Sequence, residues 1–228
     1  MNLNVVLYNI LLDLFVGSSQ LTFDGSESKV INLSNYMYAV QGNGARTISF
    51  NIQTMQNGWA AIFATGSSSN ACSFNVVMGY GGYNGIIGIM GYNNDFYPNT
   101  GTIVNDGNWH AVQVTFDGSS TLNIFVDGRL DNTAQRTYRT AENNNFIGKS
   151  NHLGFEFKFN GNLQFVKYYS GIASLETLAP TSSPSTSPTT LSPSTISPTL
   201  IPTTISPTFT LTSTSPTQSP ISSTPVFG

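Results

Sequence analysis

The carboxylates are the first residues to weigh, because two of them facing one glycosidic bond can hydrolyse it. The glutamates are Glu27, Glu142, Glu156 and Glu176, and none has an acidic residue two positions away. Alternate side chains of a strand share a face, so a catalytic pair on one strand would need that spacing. The sequence therefore predicts no hydrolytic pair on a single strand, although two loops could still bring two carboxylates together.

Other catalytic groups have little support in the sequence. His110 and His152 are the only histidines, and no G-x-S-x-G motif accompanies them, so a Ser-His-Asp enzyme is not indicated. The glycine-rich run at 79–85 lacks the Lys-Ser/Thr of a phosphate-binding loop and is interpreted as a turn. Cys72, the single cysteine, is interpreted as a small apolar strand residue. We therefore predict that the chain is not an enzyme.

A binding site for sugars has better support in the sequence. Sugars are recognised by aromatic rings against their C–H faces and by amide or carboxylate groups that hydrogen-bond to their hydroxyls. Residues 80–99 concentrate such groups, and ligands usually bind at loops. The predicted ligand-binding residues are Tyr83, Tyr92, Asn93, Asn94, Asp95 and Tyr97. The alternative is that the aromatic rings pack between sheets and the asparagines fill turns.

Short β-strands must position these residues. Apolar and polar residues alternate with a period of two, which is typical of strands with one buried face. The alternating runs lie at 47–53, 110–116, 122–126 and 153–159. Further strands are predicted near 21–23, 29–33, 59–65, 73–78, 85–91, 145–149 and 162–169. A helical turn is predicted near 174–178.

Turn residues separate these runs. Asp-Gly pairs begin at Asp24, Asp106, Asp117 and Asp127, where Asp tolerates turn geometry and Gly supplies a positive φ. Residues 117–120 lie between two alternating runs and predict a β-hairpin. Many short strands separated by turns predict an all-β fold, a two-sheet antiparallel sandwich.

One stretch, DGNWHAVQVTFDGSSTLNIFVDGRL at 106–130, carries a family likeness. It resembles the D-G-x-W-H-x-V-x-V-T-[YF]-D-G signature and the following V-D-G of laminin-G-like, concanavalin A-like jelly-roll domains. The flanking segments LTFDGSESKVINL, RTISFNIQT, NNFIGKS and FNGNLQFVKYYSGIAS resemble other strands of these domains. The resemblance implies a jelly-roll sandwich over residues 20–176.

The resemblance is less specific for function, because this sandwich hosts many unrelated activities. It implies a non-catalytic extracellular recognition module whose partner is a glycan or an extracellular protein. The alternatives are a structural spacer of a larger surface protein and a degenerate glycoside hydrolase.

The resemblance also raises the question of calcium, since some relatives bind it through acidic loop residues. Asp24 and Asp95 are the candidates here, but no D-x-D-x-D loop is present and Asp24 is first of all a turn residue. Gln164 stands where the closing strand of the family often carries an acidic residue. We predict no cofactor, with calcium as the one alternative.

The two ends of the chain differ from the predicted domain. Residues 1–19 contain an apolar run followed by small residues and predict a secretory signal peptide, although Asp13 interrupts the run and no Lys or Arg precedes it. A linker or a packed N-terminal strand is the alternative. Residues 177–228 hold all prolines but one and no charge, which predicts a disordered Ser/Thr/Pro-rich tail of mucin-like composition.

Composition bears on partners and localisation. The net charge of -3 offers no basic patch for a nucleic acid, and no apolar run is long enough to cross a membrane. Asn32-Leu33-Ser34 is an N-glycosylation sequon. Together with the resemblance, these features predict a secreted or cell-surface protein that binds no nucleic acid and has no transmembrane segment.

Overall fold

The alternating runs of the sequence form strands in the structure, a computed structural model that describes residues 5–7, 14–16, 20–35, 39–82, 84–142, 144–152 and 157–174. The strands are β1 (Val5–Leu7), β2 (Leu14–Val16), β3 (Leu21–Asp24), β4 (Ile31–Asn32), β5 (Arg46–Gln53), β6 (Ala60–Gly66), β7 (Ser73–Met78), β8 (Ile87–Met90), β9 (Trp109–Phe116), β10 (Thr121–Val126), β11 (Arg129–Gln135), β12 (Phe146–Ile147) and β13 (Asn160–Ser170). Two short 3₁₀ helices, Glu27–Lys29 and Tyr80–Gly82, are also present. No helix in the described ranges has the length and apolar character that crossing a membrane requires.

The strands form two antiparallel sheets, which confirms the predicted all-β jelly-roll sandwich. The larger sheet has eight strands in the order β1-β2-β13-β5-β9-β10-β11, and β3 also pairs with β13. The smaller sheet has the order β4-β12-β6-β7-β8. The last strand, β13, therefore lies beside β5, and the two ends of the domain meet in the middle of the larger sheet.

Tight turns connect β9, β10 and β11 as consecutive hairpins. Asp127 and Gly128 have φ values of +51° and +76°, the pair of left-handed residues that a two-residue type I′ hairpin turn requires. The hairpin predicted at residues 117–120 is confirmed between β9 and β10. Strand β11 was not predicted, because RLDNTAQ has no apolar alternation. It lies at the edge of the sheet, where neither of its faces is fully buried.

The core lies between the two sheets and is filled by the apolar face of each strand. The larger sheet contributes alternate residues of β5, β9 and β10, and the smaller sheet contributes alternate residues of β7 and β8. Burying one such Val, Leu, Ile or Phe side chain stabilises the fold by about 1.5–3 kcal/mol. The fully buried examples include Ile48, Phe50, Ile52, Val112, Val114, Phe116, Leu122, Ile124, Phe74, Val76, Met78, Ile87 and Ile89.

A fully buried arginine lies within this core at the start of β5. The Arg46 guanidinium lies 5.1 Å from the ring centroid of Phe74 in the smaller sheet and 5.6 Å from that of Phe116 in the larger sheet. Its Nε donates to the carbonyl of Gly44 at 3.0 Å, and its Nη2 donates to the carbonyl of Gly42 at 2.9 Å. Burial lowers the pKa of Arg46, because desolvation disfavours the charged form. Arg46 thus connects both sheets to the loop that precedes β5.

A second, smaller apolar cluster lies on the opposite face of the smaller sheet. This outer apolar cluster consists of Ala61, Val77 and Met90, with Tyr97 and Phe157 packed against it. Residues 157–159 form no strand, so the strand predicted over 153–159 is wrong at these positions, and residues 153–156 lie outside the described residues. On a strand, Phe157 and Phe159 would share one face. Here Phe157 packs against the outer apolar cluster, whereas Phe159 packs in the main core.

The ends of the chain are described only in part. Strands β1 and β2 form a hairpin, and β2 pairs with β13 through Leu14 and Phe15. The prediction for residues 1–19, a signal peptide or alternatively a linker or a packed N-terminal strand, stays a prediction. The predicted tail at 177–228 lies outside the described residues, as do residues 175–178 of the predicted helical turn.

The position of Arg46 leads to a prediction about stability. We expect Arg46→Lys to lower the free energy of unfolding by about 2–3 kcal/mol, because an ammonium cannot reproduce the forked hydrogen bonds and its buried charge then lacks part of its hydrogen bonding. Urea unfolding followed by fluorescence measures this loss. Arg129→Lys, at an exposed position of β11, is the matched control and should change stability by less than about 0.5 kcal/mol. Equal effects of the two substitutions would contradict the role assigned to Arg46.

Candidate functional site

The segment predicted to bind a ligand follows β8. Tyr83 lies outside the described residues, and the others form a tight loop in which Tyr92 and Asn93 have φ values of +55° and +62°. Asp95 Oδ1 accepts the backbone N–H of Gly91 at 2.8 Å, and the Asn94 side chain donates to the carbonyl of Thr137. The polar groups of Asn94 and Asp95 therefore hold the loop in shape.

The two described tyrosines of this segment have different neighbours. The Tyr92 ring lies 5.0 Å from the His152 ring, centroid to centroid, while Tyr97 packs against the outer apolar cluster. Both are half-buried, and Asn93 is the exposed member of the predicted set. The structure therefore brings the described residues into one loop, in which the two rings have different neighbours.

The aspartates share one structural role. Every aspartate in the described part of the chain accepts a backbone N–H through its carboxylate. The acceptor and donor pairs are Asp24 with Ser26, Asp95 with Gly91, Asp106 with Asn108, Asp117 with Ser119, Ser120 and Thr121, Asp127 with Ala111, and Asp131 with Thr102. The turn roles predicted at the Asp-Gly pairs are confirmed, and Asp131 reaches across 29 residues to fix a second loop.

These hydrogen bonds keep the carboxylates charged. The N–H of Asn108 is the largest influence on Asp106 and helps lower its pKa to about 2. The N–H of Ser119 likewise holds the pKa of Asp117 well below its usual range. A carboxylate that accepts backbone N–H groups is stabilised in its ionised form, so neither residue supplies a general acid at neutral pH.

One histidine lies between two of these aspartates. His110 Nδ1 is 2.8 Å from Asp127 Oδ2, and His110 Nε2 is 3.1 Å from Asp106 Oδ1. Burial works against the charged imidazole, but the hydrogen bonds to Asp127 and Asp106 outweigh it and raise the pKa of His110. Because both ring nitrogens are engaged, His110 ties the β10–β11 turn to the turn before β9 and is not free to act as a base.

The candidate calcium ligands do not come together. Asp24 ends β3 in the larger sheet, whereas Asp95 follows β8 of the smaller sheet, and each accepts an N–H in its own turn. Among the described residues, no three His, Cys, Asp or Glu side chains group closely enough to hold a metal ion. The two acidic residues singled out in the sequence therefore do not fit a calcium site.

A cleft opens at one end of the larger sheet and was not predicted from the sequence. Its volume is about 400 Å³, and it lies where β5 ends, β13 begins and the Asp106–Gly107 turn leads into β9. The lining residues are Gln53, Thr54, Met55, Gln56, Gly107, Asn160, Gly161 and Asn162. None of them is charged, and four of them carry amide side chains. We call this feature the amide cleft.

Hydrogen bonds between the segments hold the amide cleft in shape. Gln53 Nε2 donates to the carbonyl of Gly107 at 3.1 Å, and Asn162 Nδ2 donates to Gln53 Oε1 at 3.1 Å. Gln56 Oε1 accepts the backbone N–H of Asn160 at 2.7 Å. In the sequence, Gln53 ends one predicted strand and Asn162 begins another, and both lie on the polar face of their strand. Their pairing depends on the β5–β13 register.

The arrangement around His110 predicts a pH dependence of stability. A group whose pKa is raised in the folded state above its ordinary 6.5 contributes stability that is complete below that value and is lost as pH rises through the folded pKa. We therefore expect the free energy of unfolding to fall as pH rises above 6.5, and this fall to shrink in His110→Gln. Urea unfolding across this pH range measures it.

Two further variants test whether the pH-dependent fall in the free energy of unfolding arises from His110 and its two aspartate partners. Asp106→Asn and Asp127→Asn each remove one carboxylate partner, so each should reduce the pH-dependent fall. An unchanged fall in His110→Gln would show that another group causes it.

Comparisons with known proteins place the fold. Among curated proteins none matches the sequence significantly. The NanB sialidase from Streptococcus pneumoniae is similar in structure, with a TM-score of 0.50 and 13% identity over 72% of this chain and 27% of that one. The chain thus spans about a quarter of that sialidase. A heptameric SAP-like pentraxin from Limulus polyphemus has a TM-score of 0.50 and 14% identity over 74% of this chain and 80% of that one.

A laminin structure and a family model complete the comparison. Domains LG4-5 of the mouse laminin alpha1 chain have a TM-score of 0.48 and 15% identity, over 71% of this chain and 45% of that one. The model of the laminin G family Laminin_G_3, described as the concanavalin A-like lectin/glucanases superfamily, matches residues 24–179. These residues include the resemblance found at 106–130 and all strands from β4 to β13. The chain belongs to the concanavalin A-like lectin/glucanases superfamily.

Proposed function

We propose that the domain is a non-catalytic module that recognises a glycan outside the cell. The superfamily includes both lectins and glucanases, and the two differ in whether a pair of carboxylates faces the sugar. The observation that carries the proposal is that every described aspartate holds a backbone N–H. Of the described glutamates, Glu27 bonds to Lys149 at 2.7 Å, and Glu142 accepts the amide of Asn144 at 3.1 Å.

The surface offers groups suited to binding sugars. Asn93 is exposed in the loop after β8, and the half-buried Tyr92 precedes it in the chain. Tyr83, Tyr92, Asn93, Asn94, Asp95 and Tyr97 remain one proposed contact surface, whose partner is a glycan or, alternatively, an extracellular protein. The recognition is non-covalent, because it consists of hydrogen bonds to hydroxyls and ring contacts to C–H faces.

The surface position of Asn32, the asparagine of the sequon, bears on the extracellular part of the proposal. This residue is exposed on β4, at the edge of the smaller sheet, and its Oδ1 accepts the backbone N–H of Ser34 at 2.9 Å. The sequon is therefore on the surface, where a modifying enzyme has access to it. We propose that the chain passes through a secretory pathway and is glycosylated at Asn32.

The proposed modification is tested by expressing the chain in a secreting eukaryotic cell. We expect the intact mass to fall after treatment with peptide N-glycosidase, and Asn32→Gln to abolish that fall. Asn35→Gln, three residues away and also exposed, is the matched control and should keep the glycan. Secretion of the wild-type chain without any glycan would contradict the proposed modification.

Binding without turnover tests the central proposal. We expect the full chain to bind at least one class of oligosaccharide on a glycan array, with calcium or with a chelator, and to release no reducing sugar from it. Retention on the array and a reducing-sugar assay measure the two properties. Failure to bind any sugar would contradict the glycan assignment. Sugar release that Asp106→Asn or Asp127→Asn abolishes would show instead that the chain is a hydrolase.

A further inference from the structure

We infer that the amide cleft is the saccharide-binding site and that it selects uncharged saccharides. This inference rests on the proposed function and specifies its site and its ligand class. Three properties of the amide cleft support it: unused hydrogen-bonding capacity, an exposed apolar side chain, and the sign of the charge at its rim.

The amides of the cleft retain groups for a ligand. In the described hydrogen bonds, Gln53 and Asn162 each use one N–H and one oxygen lone pair, so each keeps a donor and an acceptor. Asn160 is exposed, and its side-chain amide has no partner among the described residues. An amide that both donates and accepts is complementary to a sugar hydroxyl, which does the same. The hydrogen bonds that shape the amide cleft also hold these amides in its lining.

Two glycines lie in the lining of the amide cleft. Gly161 has a φ of +153°, and a Cβ there would lie 2.7 Å from both the carbonyl oxygen of Gln53 and the ring of Phe159. Gly107 has a φ of +87°, and a Cβ there would lie 3.4 Å from Met55 Cγ. A side chain at position 161 would therefore clash with β5 and the core, and one at position 107 would be strained and would lie against Met55.

Met55 supplies the apolar part of the surface. Its side chain is 77% exposed, although a methionine usually buries its apolar surface. A sugar presents a C–H face beside its hydroxyls, so an apolar side chain next to three amides matches both kinds of surface. Covering Met55 with a ligand removes apolar area from water and favours binding.

The charge around the amide cleft argues against anionic ligands. Asp106 precedes Gly107 of the lining, and Asp24 lies opposite Asn160 in the β3–β13 pairing. Hydrogen bonds to Asn108 and to Ser26 lower the pKa of Asp106 and Asp24, so both are negative at neutral pH. The nearby Lys158 pairs with Glu27 at 3.3 Å. Sialylated, uronic-acid and sulfated sugars in the cleft would be repelled by these two carboxylates, because charges closer than one Debye length are only partly screened by salt.

The experiment compares neutral and acidic sugars on the full chain. The probes are an array of neutral hexose and pentose oligosaccharides together with sialylated, uronic-acid and sulfated ones. We expect retention of neutral oligosaccharides only. For the best neutral oligosaccharide, Asn160→Ala and Met55→Ala should each weaken the affinity measured by calorimetry about tenfold. Both residues are exposed, so neither substitution should affect folding, which thermal unfolding checks.

Further variants distinguish a failure of the proposed site from a failure of the proposed function. Leu130→Ala and Gln135→Ala, at exposed positions of β11, should leave the affinity unchanged. If Asn93→Ala abolishes binding while Asn160→Ala and Met55→Ala do not, the site is the loop after β8 and the inference is wrong although the proposed function holds. A preference for acidic sugars would overturn the ligand class. Absence of any sugar binding would overturn the proposed function together with the inference.

Discussion

The hydrogen bond from a backbone N–H to an aspartate carboxylate is the interaction on which this domain depends. A sandwich of short strands needs many turns, and each turn leaves backbone N–H groups that must find an acceptor. Here the described aspartates supply that acceptor, and Asp117 alone receives three N–H groups at the β9–β10 hairpin. Asp131 and Asp127 extend the same bond between segments distant in sequence and so fix loops against strands.

This use of the carboxylates has a consequence for function. Each aspartate in the described part of the chain already accepts a backbone N–H, and this arrangement supports the proposed non-catalytic function. The same distribution leaves the amide cleft lined by neutral groups, with charged aspartates only at its rim. His110 follows the pattern, because its two nitrogens hold Asp106 and Asp127 in place. The structure and the proposed binding preference therefore have one physical origin.

The sequence predicts the fold well because strand alternation and Asp-Gly turns are local signals. It fails where the determinant is register or packing. Strand β11 has no alternation because neither of its faces is fully buried, and Phe157 and Phe159 alternate although they pack in different clusters. The amide cleft joins three segments that are distant in the chain, so no local pattern contains it. In the loop after β8, the predicted sugar contacts stay a prediction, and the structure adds that Asn94 and Asp95 also hydrogen-bond to backbone groups.

We propose that neutral sugars bind at the amides where β5 and β13 meet. A heteronuclear NMR titration of the full chain with the best neutral oligosaccharide tests it most directly, since it follows side-chain amides individually. The account predicts that the amide resonances of Gln53, Asn160 and Asn162 shift together and saturate with the binding isotherm. Saturable binding that shifts Asn93 and Asn94 and leaves those three resonances in place would contradict it.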